Sequence, residues 1–254
     1  MDHQDMNIIK TEGVTKKFGG FVAVDHVDFT IGKNETVGII GPNGAGKTTF
    51  LNLITGFYPP DNGTIWYNGR DITTLSPEKR VEMGMVRTFQ LVRVFNNLRV
   101  YENLGLAHYR KKRGSSLPLH IFVSNLEQTD IRKRVDESLG IFELGDIAEE
   151  MVGNLSLGSK RKLEITMAFI ADPVLLALDE PFSGLSDKEI LEVMEVFKRL
   201  KHQKTILIIE HKISKLMDFV DRLVVMHEGK IVACGSPQET LEDPEVRRVY
   251  WKVK

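Results

Sequence analysis

Eight consecutive residues, Gly41-Pro42-Asn43-Gly44-Ala45-Gly46-Lys47-Thr48, follow the spacing G-x-x-x-x-G-K-[ST], with an apolar run before them and a helical pattern after them. Glycines let the main chain curl so that successive N–H groups point inward at one anion, and a helix starting at the lysine adds the positive end of its dipole. Such a loop cradles phosphate. Lys47 brings charge to the β- and γ-phosphates of a nucleotide, and the Thr48 hydroxyl, with Thr49 beside it, is a hard oxygen suited to Mg²⁺.

This chemistry needs an acidic site as well. The run "LLALDE" ends in Asp179-Glu180. Adjacent carboxylates at the end of a buried strand are costly unless they organise a cation or a water. Asp179 suits the metal, and Glu180 suits a water aimed at the γ-phosphate. His211 closes the next apolar run and could donate a hydrogen bond to the same phosphate. The catalytic candidates are therefore Lys47, Glu180 and His211. No His or Cys cluster has the spacing of a structural zinc site.

The elements that must position these groups follow from periodicity. Residues 8–32 alternate in short apolar stretches, as half-buried antiparallel strands do. "ETVGII", "VLLALD" and "TILIIEH" are continuous apolar runs of the kind found in parallel strands covered on both faces. "KTTFLNLITG" is helical and closed by Gly56, "GTIWYNGRDI" returns to strand, and "SPEKRVEMG" is a short helix with Ser76 as N-cap. Between residues 91 and 160 strand character gives way to polar helix, with "YRKKRGSS" (109–116) expected as a solvated loop. Ile190, Val193, Met194, Phe197 and Leu200 fall at helical spacing behind a Ser186–Glu189 capping box. "RLVVMHEGKIVACG" reads as a hairpin turning at Glu228-Gly229, followed by a helical tail from Pro237.

At 254 residues and 42% hydrophobic the chain can bury a sizeable core. A formal net charge of -1 gives no general attraction to nucleic acid or to an anionic membrane. Cys234 stands alone, which excludes an internal disulfide, and it is expected as a small buried residue in a strand. Apolar runs of about five or six residues are far too short to span a bilayer, and the polar N-terminus has no secretory core. A soluble, cytosolic protein is expected, held at any membrane only by others.

With the cradle, the acid pair, the histidine and "LSLGS" in this order, the sequence resembles the ATP-binding-cassette (ABC) ATPases over nearly its whole length. The family signature, Leu-Ser-Gly-Gly-Gln, stands here as Leu155-Ser156-Leu157-Gly158-Ser159. The resemblance implies an α/β fold, a P-loop NTPase (RecA-like) core with an antiparallel β subdomain and an inserted α-helical subdomain. Within a single domain over 1–254, the β part would take 1–35 and about 62–75, the core 36–90 and 161–236, the helical part 91–160 and the tail 237–254. It implies ATP and Mg²⁺ as cofactors. Gly41, Pro42, Asn43, Gly44, Ala45, Gly46, Lys47, Thr48 and Thr49 would hold the nucleotide, Phe18 would stack on adenine, and Val24 would line the same pocket. Thr48, Asp179 and Gln90 would attend the metal.

In this family two cassettes pair head to tail, so Ser156 and Gly158 would face the ATP of the opposing subunit. A helix start, a serine hydroxyl and a glycine open to close approach bind an anion well. Ser183-Gly184-Leu185-Ser186 would cross the seam between subunits. Leu157, Ser159 and Ser186 depart from the family pattern, while the phosphate-facing pair is kept. "GMVRTFQLVRVFNNLRVYENL" resembles the LivG-like ATPases of branched-chain amino-acid importers, whereas "LEITM" and "SGLSDKE" lean toward urea-importer ATPases. Either branch implies a second ABC ATPase subunit (a copy, or a LivF-like partner), transmembrane permeases and, indirectly, an extracytoplasmic solute-binding protein, with no nucleic acid. The place would be cytoplasmic, on the inner face of the cell membrane.

Two other classes fit the sequence less well. Chromosome-maintenance ATPases of the same superfamily carry long coiled coils between P-loop and signature, where this chain has roughly a hundred residues without sustained heptads. Translation-factor members usually carry two cassettes. A P-loop kinase would leave the signature stretch and a water-activating Glu180 without purpose.

Overall fold

The alternation of residues 8–32 becomes a pleated pair, β1 (Asn7–Phe18) antiparallel to β2 (Phe21–Gly32). In the computed structural model, which describes residues 7–113, 129–211 and 213–251, β4 (Asn62–Tyr67) and β5 (Arg70–Asp71) complete this sheet in the order β2-β1-β4-β5. The continuous apolar runs form a second sheet. Its strands β3 (Thr36–Ile40), β7 (Leu175–Asp179) and β8 (Thr205–Ile209) are buried at every residue, which removes any alternation from their sequences. With β6 (Met85–Arg87), β9 (Arg222–His227) and β10 (Lys230–Gly235) the order is β10-β9-β3-β8-β7-β6. All pairs are parallel except β9–β10, whose hairpin turns at Glu228 and Gly229, both at positive φ, which the glycine adopts freely and the glutamate only at a cost.

Helix α1 (Lys47–Ile54) shares one core with both sheets. Its Phe50, Leu51, Leu53 and Ile54 pack with Ile9, Phe29 and Tyr67 of the first and with Val37, Ile39, Leu207 and Ile209 of the second. Phe50 meets Phe29 edge-on at 5.6 Å. The far end of α1 leaves carbonyls with no partner in the helix. Arg80 of α2 (Pro77–Glu82) supplies one: its guanidinium, 1% exposed, donates to Leu53 O at 2.8 Å, Ile54 O at 2.6 Å and Ile72 O at 2.7 Å. Burial brings its pKa down to about 10, opposed by Asp71, so the charge is retained at neutral pH.

These elements, with the short helices α7 (Ile213–Leu216), α8 (Pro237–Glu242) and α9 (Pro244–Trp251), form one unit: Met1–Arg87, Val174–Glu180 and Lys201–Lys254. The other unit is Thr88–Pro173 and Pro181–Leu200. It holds α3 (Val100–Arg113), α4 (Thr129–Ile141), α5 (Leu157–Ile170) and α6 (Asp187–Leu200), with α3 packed on α4 and α5, and α5 on α6. It reaches beyond residues 91–160 because α5 packs on α3 and α4 and carries α6 with it. Ile190, Val193, Met194, Phe197 and Leu200 are buried, as their spacing predicts.

Two expectations are corrected. "YRKKR" is not loop: α3 continues to Arg113, lysine and arginine being good helix formers, while residues 114–116 lie outside the described residues. Cys234 is in a strand but exposed, because β10 is the edge of its sheet; its Sγ accepts from Arg222 Nη1 at 3.3 Å.

Replacing Arg80 by Met should lower stability by about 2–4 kcal/mol, since it takes away the buried guanidinium that Ile54 O at the end of α1 accepts from. Urea unfolding reads this directly, and an unchanged midpoint would refute the anchoring role.

Candidate nucleotide-binding site

The phosphate loop leaves β3 at Ile40 and reaches α1 through two glycines that nothing else could replace. A Cβ on Gly41 would collide with the Met226 carbonyl of β9, and one on Gly46, at φ 97, with the Ala23 carbonyl of β2. The hairpin turn buttresses the loop, Gly229 N–H donating to Ala45 O at 3.1 Å and Asp25 N–H to Gly229 O at 2.9 Å.

Lys47 opens α1 and is 5% exposed. Its ammonium donates to Gly41 O at 2.7 Å and Pro42 O at 3.0 Å. Burial lowers its proton affinity, while Glu180 and Asp179 pull in the other direction. A desolvated cation with only carbonyl dipoles in contact favours an incoming anion.

Two carboxylates follow β7. Asp179 is buried, and its Oδ2 takes a hydrogen bond from Arg87 Nη2 at 2.7 Å; the two side chains are 6% and 7% exposed. Arg87 also donates from Nη1 to Asn52 Oδ1 at 2.6 Å and Thr55 Oγ1 at 3.0 Å, tying Asp179 to α1. Glu180 has φ 47, a left-handed conformation that costs energy for a side chain of its size. Its N–H donates to Ile209 O at 2.9 Å, and its Oε1 lies 2.7 Å from His211 Nε2. A cavity of about 210 Å³ is lined by Asn43, Gly44, Ala45, Gly46, Lys47, Thr48, Thr49, Glu180 and His211, together with Phe21 and Ala23. The three catalytic candidates therefore share one hollow. A larger hollow of about 560 Å³, lined by Lys10, Asp28 and Arg222 among others, contains none of these groups.

Other expected residues stand elsewhere. Val24 is fully buried in the core; strand alternation turns its neighbour Ala23 to the cavity instead. Phe18 is 44% exposed at the end of β1, edge-on to Tyr58 at 5.4 Å, and Phe21 is the aromatic in the cavity lining. Thr48 is exposed at the loop and lines the same cavity as Glu180, while Asp179 is not in that lining. Among the described residues no group of three or more His, Cys, Asp or Glu could hold a metal by itself. Such a donor set fits Mg²⁺, which takes most of its ligands from phosphate and water.

Ser156, Gly158 and Gln90 belong to the second unit. Ser156 caps α5, its hydroxyl accepting from Ser159 N–H at 3.1 Å. Gln90 lies in a segment wound onto α5: Arg161 donates to Phe89 O at 2.7 Å and Gln90 O at 2.6 Å, and pairs with Glu164 at 2.6 Å. Glu164 in turn accepts from Arg93 N–H at 3.0 Å. Burial raises the Glu164 pKa, and the Arg161 charge opposes this. The capping box at α6 is present, with Ser186 N–H donating to Glu189 Oε2 at 3.0 Å.

A glycine-built phosphate loop, a buried lysine and a Glu–His pair in one cavity describe a nucleotide-hydrolysing site, and comparison with known proteins decides which kind. The ABC transporter family pattern matches residues 24–183. The chain belongs to that family. The ABC cassette is 37% identical over 252 residues to the high-affinity branched-chain amino acid transport ATP-binding protein LivG of Salmonella typhimurium, covering 96% of this chain and 97% of that protein. It is 35% identical to BraF of Pseudomonas aeruginosa, with the same coverage. Among solved structures, the cassette MJ1267 in its ADP conformation matches with a TM-score of 0.83 at 32% identity, over 98% of this chain and 100% of that one. The dimeric post-hydrolysis state of the cassette MJ0796, bound to ADP and Pi, matches with 0.75 at 26% identity, over 90% and 98%. The fold is that of an ABC ATPase, and no helix among the described residues is long and apolar enough to cross a membrane.

Arg87, Phe21, and the Arg161–Glu164 pair of this cassette are groups the sequence reading passed over. Arg87 had one available signal, a cation ending a strand level with the buried run that carries Asp179. Removing the Lys47 ammonium, by Lys47→Ala, should weaken nucleotide binding about 10- to 100-fold. Calorimetry with undiminished affinity would refute its assignment.

Proposed function

We propose that this cassette is the ATP-binding and ATP-hydrolysing subunit of an importer for branched-chain amino acids, acting as one of two cassettes paired head to tail beneath transmembrane permeases. The observation that carries the solute class is likeness to LivG and BraF along 96% of the chain. An extracytoplasmic solute-binding protein would deliver the amino acid, and the cassette would sit on the cytoplasmic face of the membrane. The second cassette is a copy of this chain or a LivF-like relative.

The chemistry assigned to the residues is simple. The loop N–H groups and Lys47 hold the β- and γ-phosphates and offset the charge that spreads over the transferring group. Glu180 accepts a proton from the attacking water, and its strained main chain turns the carboxylate to His211, 2.7 Å away. In the free cassette the His211 Nε2–H holds that carboxylate, and with nucleotide bound the same N–H turns to the γ-phosphate. Thr48, Asp179 and Gln90 would hold Mg²⁺, which when bound supplies charge neutralisation across the two outer phosphates. Arg87 fixes the rotamer of Asp179. Phe18 or Phe21 supplies the face against adenine. Ser156 and Gly158 serve the nucleotide of the opposing subunit, and closure of the pair drives the permeases.

Glu180→Gln should retain ATP binding, slow turnover by about 10²–10⁴-fold and accumulate the paired state. Turnover unaffected in the assembled complex would remove the general-base role. For the solute, membranes carrying the assembled transporter should take up leucine in an ATP-dependent manner that Glu180→Gln abolishes. Uptake of urea with no response to leucine would overturn the amino-acid reading.

A further inference from the structure

The start of α5 is built to receive an anion, and one is already seated there. The carboxylate of Glu189, in the first turn of α6, accepts from Gly158 N–H at 2.9 Å through Oε1. Its Oε2 is held by the N–H of Ser186 at 3.0 Å and by the Ser186 hydroxyl at 2.8 Å. The Ser156 hydroxyl stands near enough to the same carboxylate to favour its charge, while donating its own proton to Ser159 Oγ. Together these donors, the Ser186 N–H foremost, hold the acid down to about 2, so it is ionised throughout the physiological range. The fit at Gly158 is close: a Cβ there would stand 2.6 Å from both Cγ and Oε1 of Glu189. Leu157 closes the neighbouring space, since a Cβ on Gly184 would come within 3.1 Å of its Cδ2. The signature turn is thus tied to α6 by a charge-assisted hydrogen bond, and its Leu157 stands beside Gly184 of the seam loop.

Gly158 N–H and the Ser156 hydroxyl are the donors that the pairing of cassettes assigns to the other subunit's nucleotide. The Gly158 N–H cannot serve a carboxylate and a phosphate at once, and two anions brought to one turn repel. We propose that Glu189 is the resident anion of the signature turn: it takes the place of the opposing γ-phosphate in the free subunit and must be displaced when the cassettes close. This rests on the head-to-tail pairing proposed above. The exchange is inexpensive, because Oε2 can keep both Ser186 contacts and the α6 cap while Oε1 releases Gly158. It also discriminates between nucleotides. A terminal phosphate of high charge can compete for the helix end, and a diphosphate has none to offer at that point.

The test uses the full chain in a Glu180→Gln background with ATP and Mg²⁺, and follows association by sedimentation as ATP is raised. Glu189→Gln keeps a capping-box side chain and removes only the charge; Glu189→Ala removes the contact. Pairing should begin at ATP concentrations lower by about threefold for the Gln variant and about tenfold for the Ala variant. A parent that stays single while the variants pair gives the same result in stronger form. Unchanged or raised midpoints in both variants, with thermal melts showing them folded, would overturn the proposal, as would a set in which nothing pairs. Lys47→Ala separates this from the underlying reading. Association lost with Lys47→Ala but indifferent to Glu189 sinks the resident anion alone, whereas association that survives Lys47→Ala sinks the nucleotide-driven pairing.

Discussion

The ammonium of Lys47 is removed from water and left with two main-chain carbonyls, at 2.7 and 3.0 Å, in place of its hydration shell. Two dipoles do not replace what water gave it, and its lowered proton affinity records the deficit. Anything that brings negative charge into the loop makes up that deficit, so the pocket is committed to an anion before one arrives. The ammonium can be held there only because α1 cannot move. Phe50, Leu51, Leu53 and Ile54 lock it between two sheets, and Arg80 closes its far end. The glycines wedged under Met226 and Ala23 then fix where the loop amides point. Core packing is thereby converted into the position of a charge.

A second regularity runs through both units. Polar groups made for a ligand would be left unsatisfied in the free protein, and buried unsatisfied groups are costly. The chain answers with its own side chains. Lys47 turns back on its own loop carbonyls, Arg87 covers one oxygen of Asp179, His211 takes Glu180, and Glu189 takes Gly158. Ligand binding is then an exchange of partners between well-matched sets. That keeps the free cassette ordered and makes each step sensitive to the charge of what arrives.

The local parts of this arrangement were legible because each depends on a short stretch. The P-loop spacing, the continuous apolar strands, the Glu228-Gly229 turn and the Ser186–Glu189 box are set by neighbours in sequence, and all appear where their residue types place them. What was hidden depends on contacts across long separations. Arg87 reaches Asp179 over 92 positions, and Glu189 reaches Gly158 over 31. No periodicity encodes such a meeting. Val24 and Ala23 differ only in which face of β2 they occupy, and the register shifts between β1 and β2 blur that parity in the sequence. The exposure of Cys234 is hidden for a related reason, since composition cannot tell an edge strand from a central one.

The departures from the family signature read differently once these contacts are known. An aspartate at position 186 would set a second carboxylate against Glu189 Oε2, where the serine hydroxyl now donates at 2.8 Å. Like charges that close cannot both stay ionised without cost. Ser186 and Glu189 therefore go together: the serine is what allows the glutamate to lie across the seam loop and reach Gly158. Leu157 belongs to the same set, since its side chain fills the space beside Gly184 that the family's glycine would leave open. Ser159 adds a small hydroxyl 3.2 Å from that of Ser156, keeping the capping serine in place without a longer side chain crossing the turn. The altered signature and the altered seam loop thus meet in one set of contacts, centred on the carboxylate that occupies Gly158 N–H.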